Sequence, residues 1–273
     1  MSKVFSVKDF KRGLDVRKSP LTAPAGSARI LQNVVLNPGG EVEKRYAFVK
    51  MTTNPTPTVP WAWVGQGPAL HVFGCPTAPA FPAGSMAVPI IPHNLADPGE
   101  PIVQFLDVEV YSTKFYVCGR SATRTYNWYD GVLVNDAAGA PVTGTYARTY
   151  KTKMYVNNNL SFDFSGVNNP AERDPADTTS PGAGFIEVSK NDPEGEPSIA
   201  TEIFYNQAAI FSRLSTQLWV LDPDPNKDAL QQVIRVGTVA PQSVFQFSTG
   251  DILFLSDSGV RSLKAQGTAK AAH

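Results

Sequence analysis

Residues Phe247 to Lys264, FSTGDILFLSDSGVRSLK, read as a strand, a tight turn and a returning strand. Ile252 to Leu255 is an apolar run of strand length, Asp257-Ser258-Gly259 offers the polar residues and the positive-φ glycine of a hairpin turn, and Val260 starts the return. The same grammar recurs upstream as YNQAAIF (Tyr205 to Phe211), YKTKMYV (Tyr150 to Val156), YSTKFYV (Tyr111 to Val117) and, in weaker form, QGPALHV (Gln66 to Val72). Measured between the last residues of the copies, with Leu255 for the final one, the intervals are 45, 39, 55 and 44 residues. Three of these lie near the roughly 40 to 50 residues of a four-stranded propeller blade. The chain is therefore read as all-β, a β-propeller-like array of antiparallel blades, one of which carries an insertion.

Composition agrees. With 23 prolines, 21 glycines and 10% aromatic residues in 273, the chain favours many turns and short strands over long helices. The formal net charge is zero but unevenly placed: residues 1 to 50 hold ten Lys or Arg against four acids, leaving 14 basic and 20 acidic residues afterwards. The two parts thus carry about +6 and −6, a polarity that can steer a basic segment onto an acidic neighbour. No run approaches the roughly 18 uncharged apolar residues of a membrane span, and MSKVFSVKDFKRG lacks the apolar core of a signal peptide. Cys75 and Cys118 follow the apolar strand in two of the repeats and are expected as small buried hydrophobes.

Taken in order, residues 1–55 form an amino-terminal arm and hairpin. The basic lead contains Lys8, Lys11, Arg12, Arg17 and Lys18, and the hairpin pairs Ile30 to Leu36 with Val42 to Val49 across Asn37-Pro38-Gly39-Gly40. Residues 56–265 carry the blades, with candidate units around Leu70 to Phe73, then Val103 to Asp130, Ala147 to Gly166, Glu202 to Val220 and Val244 to Leu263. Within them Tyr126 and Trp128 are expected on one face with Asn127 and Tyr129 on the other, and Phe162 and Phe164 apart from Asp163. The stretch at about 168–197, polar and rich in proline and glycine, reads as a long surface insertion ordered by a neighbour. Residues 266–273 are a tail.

Chemistry-bearing motifs are sparse. His71, His93 and His273 are scattered and give no zinc spacing, and no Walker A loop, GxGxxG after a strand or GxSxG elbow occurs, so no catalytic, cofactor or metal residues are assigned. Asp222, Asp224, Asn226 and Asp228 copy the start of a calcium loop, but Lys227 stands at its glycine position and Val233 at its bidentate acid, so a proline-rich turn is the preferred reading. Asp163, Asp222 and Asp257 near comparable strand ends raise a propeller glycosidase, against which acids in turns more often shape the turn.

Two stretches resemble a known family. QLWVLDPDPNKDALQQVIRVGTVAPQSVFQFSTGDILFLSDSGVRSLKAQ (Gln217 to Gln266) and SARILQNVVLNPGGEVEKRYAFV (Ser27 to Val49) look like the tail nozzle of short-tailed bacteriophages, also called tail tubular protein B or packaged-DNA stabilisation protein. The markers are VGTVAPQSV (Val236 to Val244), the core at Phe254 to Leu263, and Asn33, Gly39, Gly40, Lys44 and Arg45; the residues between the two stretches match in style alone. Members generally run well past the RSLK segment, which raises a shorter relative, a truncated gene product or an incomplete propeller finished by another segment. The resemblance implies a non-enzymatic virion protein, assembled in the host cytoplasm as a homo-oligomeric ring of six. It implies contacts with the head-to-tail adaptor and other tail proteins, and genomic DNA passing through the lumen without sequence recognition or membrane contact. Lys8, Lys11, Arg12, Arg17, Lys18, Lys44 and Arg45 are the assembly candidates. The rival is a propeller glycosidase or glycan-binding tail module acting on host-surface polysaccharide.

Overall fold

The computed structural model describes residues 60–81, 88–134, 144–176, 178–179, 181–247 and 250–264, with the strand segments Val34–Leu36 and Val42–Lys44. The chain divides into two compact units, Met1–Thr53 with Pro82–Met86, and Asn54–Phe81 with Ala87–His273. In the first unit β1 (Val34–Leu36) pairs antiparallel with β2 (Val42–Lys44), within the hairpin expected there. Lys44 closes β2. Lys8, Lys11, Arg12, Arg17, Lys18 and Arg45, like the tail at 266–273, lie outside the described residues.

The second unit is all-β, five sheets following one another in a ring as a five-bladed propeller. Blade 1 contains β3 (Trp61–Gln66), β4 (Ala69–Gly74) and β5 (Ile90–Asn94), and blade 2 contains β6 (Gln104–Tyr111), β7 (Lys114–Arg120), β8 (Thr125–Tyr129) and β9 (Val132–Leu133). Blade 3 contains β10 (Ala147–Tyr150), β11 (Lys153–Asn158), β12 (Ser161–Phe164) and β13 (Gly184–Glu187). Blade 4 contains β14 (Ala200–Phe204), β15 (Gln207–Phe211), β16 (Thr216–Val220) and β17 (Ala229–Ile234), and blade 5 contains β18 (Phe245–Gln246), β19 (Ile252–Ser256) and β20 (Gly259–Ser262). All neighbours pair antiparallel except β4 and β5, which run parallel. There the chain from Cys75 to Pro89 is long enough for the crossover of about a dozen residues that parallel pairing needs. Pro92 in β5 is tolerated because that strand is an edge.

Why the repeats are apolar end to end follows from the packing. Blades 2 to 4 are sandwiched, so both faces of their second strands, β7, β11 and β15, are buried and the usual polar alternation disappears, whereas in blade 5 one face of β19 leaves Leu255 exposed. In β7, Phe115 and Val117 enter a cluster with Phe73, Cys75 and Leu95 of blade 1, while Tyr116 and Cys118 enter another with Ala147, Met154 and Val156 of blade 3. A third cluster joins Tyr155, Phe162 and Phe164 to Ala208, Ile210 and Trp219, and a fourth joins Ala209, Phe211 and Leu218 to Ile252 and Phe254. The expected split at β8 holds for Tyr126 and Trp128, both fully buried against blade 1; Asn127, on the other face, is buried as well. Gly119 is required next to Trp128, because a Cβ there would come within 2.8 Å of the indole.

Two expectations are corrected. The repeated heptapeptides are indeed the second strands of the five blades, but the fourth and fifth copies are set one residue out of phase. Val117 and Val156 face the preceding blade, as do Ile210 and Phe254, whereas Phe211 faces the following blade. Tyr150 is the last residue of β10, whereas Tyr205 sits beyond Phe204 in the turn itself, and a one-residue slip in a strand exchanges its faces. The second correction concerns the stretch at 168–197, whose described residues pack within the chain itself. It supplies β13, the outer strand of blade 3, paired with β12 at Phe162↔Ile186. Its Arg173 is buried and donates from Nη2 to the Tyr116 hydroxyl of blade 2 at 2.8 Å, and its Asp192 accepts from Ser215 Oγ and from the backbone N–H of Glu194 and Glu196.

Candidate functional site

The first strand of each blade contacts the first strand of the next, so β3, β6, β10, β14 and β18 are the innermost strands. In β6 the alternation is QFLDVEVY: Val108 and Val110 pack on the cluster shared with blade 1, leaving Asp107, Glu109 and Tyr111 on the other face, toward blade 3. These three cover the edge of β10. Asp107 Oδ2 accepts from the Ala147 N–H at 3.0 Å, Glu109 Oε1 from the Thr149 N–H at 3.1 Å, and Thr149 Oγ1 donates to the Val110 carbonyl at 3.1 Å. An edge that would otherwise expose unpaired amides is thereby closed by side chains.

Arg148, between the two covered amides, ties three blades together. Its Nη1 lies 2.6 Å from Asp107 Oδ2 and 3.9 Å from Glu109 Oε2, and its Nε lies 3.2 Å from Glu202 Oε2 on β14. Burial alone would lower the Arg148 pKa, but Asp107, Glu202 and Glu109 outweigh it and hold the pKa above its ordinary value. Three carboxylates share one cation, and the least well paired of them responds. Burial pushes Glu109 up to about 7, against the pull of Arg148 and the Thr149 N–H, with Asp107 and Glu202 adding to the rise.

At the far end of the inner strands a second device repeats. Gln66 Nε2 donates to the Ser112 carbonyl at 3.4 Å, Tyr111 Oη to Thr152 at 2.9 Å and Tyr150 Oη to Asn206 at 2.8 Å, each reaching the first turn of the next blade. Tyr205 continues the series by packing its phenol on Gly250, where a Cβ would stand 2.7 Å from Oη. The leading Tyr or Gln of the repeat is thus an inter-blade clamp. Tyr150→Phe, which removes one such bond from an exposed position, is expected to cost about 1 kcal/mol, measured by chemical denaturation.

The opposite end of the inner strands holds a cavity of about 460 Å³ formed by blades 2 to 5. Arg120, Tyr146, Gln104, Asn159 and Gln242 line it. The Tyr146 phenol is pushed up to about 12, chiefly by burial and then by Asp107, so it remains a neutral donor.

The acids singled out in the sequence sit elsewhere. Asp163 accepts from Asn158 Nδ2 at 2.8 Å and Ser161 Oγ at 2.6 Å, within its own hairpin, and Asp257 is exposed at the β19–β20 turn. In the DPDPNKD segment each acid turns inward: Asp222 accepts from the Asp224 N–H, Asp224 from the Asn226 N–H, and Asp228 from the Asp222 N–H. These are the bonds of a capped turn around Pro225–Lys227. Cys75 and Cys118 are both free and buried, with the Cys75 thiol pushed up to about 11 by burial and by Asp97. Of the scattered histidines, His71 and His93 are brought together, Nδ1 to Nε2 at 2.8 Å, because β5 returns parallel to β4. Burial lowers both pKa values, and His71 lowers that of His93 further. Among the described residues no group of three or more His, Cys, Asp or Glu is placed to hold a metal ion.

Sequence reading missed Asp107, Glu109, Arg148 and Glu202. The available signal was the alternation DVEVY, in which two acids and a tyrosine share one face of a strand whose other face is valine. Fold and site together define a five-bladed β-propeller in which three of the innermost strands are tied by a partly buried arginine. No protein-family model matches the chain, and no curated protein matches it.

Proposed function

We propose that the chain is a structural component of a bacteriophage tail, a rigid wall element of an oligomeric nozzle that retains and passes packaged DNA below the head-to-tail adaptor. The observation that carries this reading is the Arg148 knot. Where a glycosidase on this frame would need an open pair of carboxylates, Asp107, Glu109 and Glu202 are committed to Arg148 and to backbone amides. Their oxygens stiffen the ring of blades through bonds within the fold. The resemblance of Gln217 to Gln266 and Ser27 to Val49 to tail nozzles points the same way, and an acid surplus beyond residue 50 disfavours the phosphate-neutralising contacts that would stall sliding DNA. In this reading the protein works in the virion as a homo-oligomer, with the basic residues of the amino-terminal arm docking on a neighbouring subunit or the adaptor.

Mass photometry of the purified chain, alone and with adaptor, tests this directly. Rings are expected, with a mass near six copies, and deletion of residues 2–24 is expected to prevent their attachment to adaptor. A persistent monomer under both conditions would remove the nozzle reading.

One observation favours a second reading, glycan hydrolysis: Glu109 is held near 7, in the range of a general acid, beside two further carboxylates. That reading requires release of reducing ends from host-surface polysaccharide, abolished by Glu109→Gln. The structural reading requires no turnover by the wild-type chain.

A further inference from the structure

We infer that the cavity at the mouth of the propeller axis is a binding site for a sugar acid, a small ligand bearing one carboxylate and several hydroxyls. This goes beyond the structural role proposed above and does not depend on it. The cavity lies at the start of the inner strands, opposite the tyrosine clamps, and its volume of about 460 Å³ falls within the range of small-molecule pockets. Loops of four blades converge on it. Thr145 and Tyr146 precede β10, Ser198 and Ile199 precede β14, Pro241 and Gln242 precede β18, and Arg120 ends β7.

The charge of the lining decides the ligand class. Lys114 and Lys190, the cations of two other cavities, each face a carboxylate already, Asp130 and Glu187 respectively. Arg120 is exposed, and among the described residues no hydrogen bond or ion pair occupies its guanidinium and no Asp or Glu lines its cavity. A single uncompensated guanidinium matches one carboxylate through paired N–H donors and balances its single charge, whereas a phosphate monoester would leave its second charge unbalanced there. The remaining polar groups suit hydroxyls. Gln104, Asn159 and Gln242 offer amides that both donate and accept, and Tyr146 stays protonated well above neutral pH. Leu106, Ile199 and Pro241 complete the lining with apolar surface for the C–H face of a sugar ring. Carboxylate, hydroxyls and an apolar ring face occur together in hexuronic and sialic acids.

Saturation-transfer NMR titrations with glucuronic acid, N-acetylneuraminic acid, glucose and acetate test the site. At least one sugar acid is expected to saturate in the millimolar range, with glucose and acetate each at least about tenfold weaker. Arg120→Gln is expected to weaken the acid at least about tenfold by removing a charge-assisted contact. Gln242→Ala is expected to weaken it a few-fold, and Arg213→Gln, at an exposed arginine outside the cavity, to leave it unchanged. A disaccharide ending in the same acid separates the sources: tighter binding assigns the ligand to a glycan end, equal binding to the free acid, and either supports the site. Comparable binding of glucose or acetate would overturn the inference. So would undiminished binding by an Arg120→Gln or Gln242→Ala chain of wild-type melting temperature, or no binding of either sugar acid at about 20 mM.

Discussion

Replacing Arg148 with methionine is expected to destabilise the propeller by about 3 to 5 kcal/mol, the range found when one partner of a buried ion pair is removed. For a chain of this size that corresponds to a fall in melting temperature of about 10 °C. The cost arises less from the bonds lost than from what stays behind. Asp107 and Glu202 would flank position 148 without the cation now 2.6 and 3.2 Å from them, and Glu109 would add a third carboxyl. Lysine at 148 is expected to recover only part of the loss, because a point charge cannot serve two carboxylates through separate N–H vectors. Thermal melts and denaturant titrations at neutral pH provide the check. A deficit below about 1 kcal/mol at neutral pH would place Arg148 among surface ion pairs and dissolve the knot.

Glu109→Gln is expected to do the opposite above neutrality. The folded-state pKa of Glu109, about 7, lies above its ordinary 4.5. The stability associated with that raised value is fully present below about 4.5 and is lost as pH rises through about 7. The gap corresponds to about 3 kcal/mol at 1.36 kcal/mol per pH unit. Glutamine keeps an acceptor for the Thr149 amide and removes the titration. Wild type and variant should therefore agree near pH 4.5 and diverge in favour of the variant by up to about 3 kcal/mol at pH 8. Denaturant titrations across this window decide it, and parallel curves would mean that Glu109 is ionised at no cost. Together the two substitutions bracket one cluster, since the first removes its cation and the second its most strained anion.

Parts of this architecture could be read from the chain alone. The second strand of every blade announced itself as an apolar run behind a polar turn, and in blades 2 to 4 this is because a strand covered on both faces leaves no position for water. The phase was harder. Tyr205 looks like a counterpart of Tyr111 and Tyr150, yet it lies in the turn after Phe204, and pairing register is not visible in a heptapeptide. The strand Gly184–Glu187 was hidden inside a stretch whose prolines and glycines suggest an excursion, and only its pairing with β12 makes it part of a blade.

The candidate site was the least legible feature. Asp107 and Glu202 are 41 and 54 residues from Arg148, and nothing in their neighbourhoods marks them as partners. The sequence by itself determined that the chain is all-β and built of repeated sheets, since hydrophobic period and turn chemistry are properties of a few consecutive residues. The tertiary structure alone decided that Asp107, Glu109, Arg148 and Glu202 share one place, and that Arg120 lines a cavity with no hydrogen-bond or ion-pair partner among the described residues. Both depend on how successive blades are turned about a common axis, a rotation set by packing between sheets and written in no single stretch of the chain.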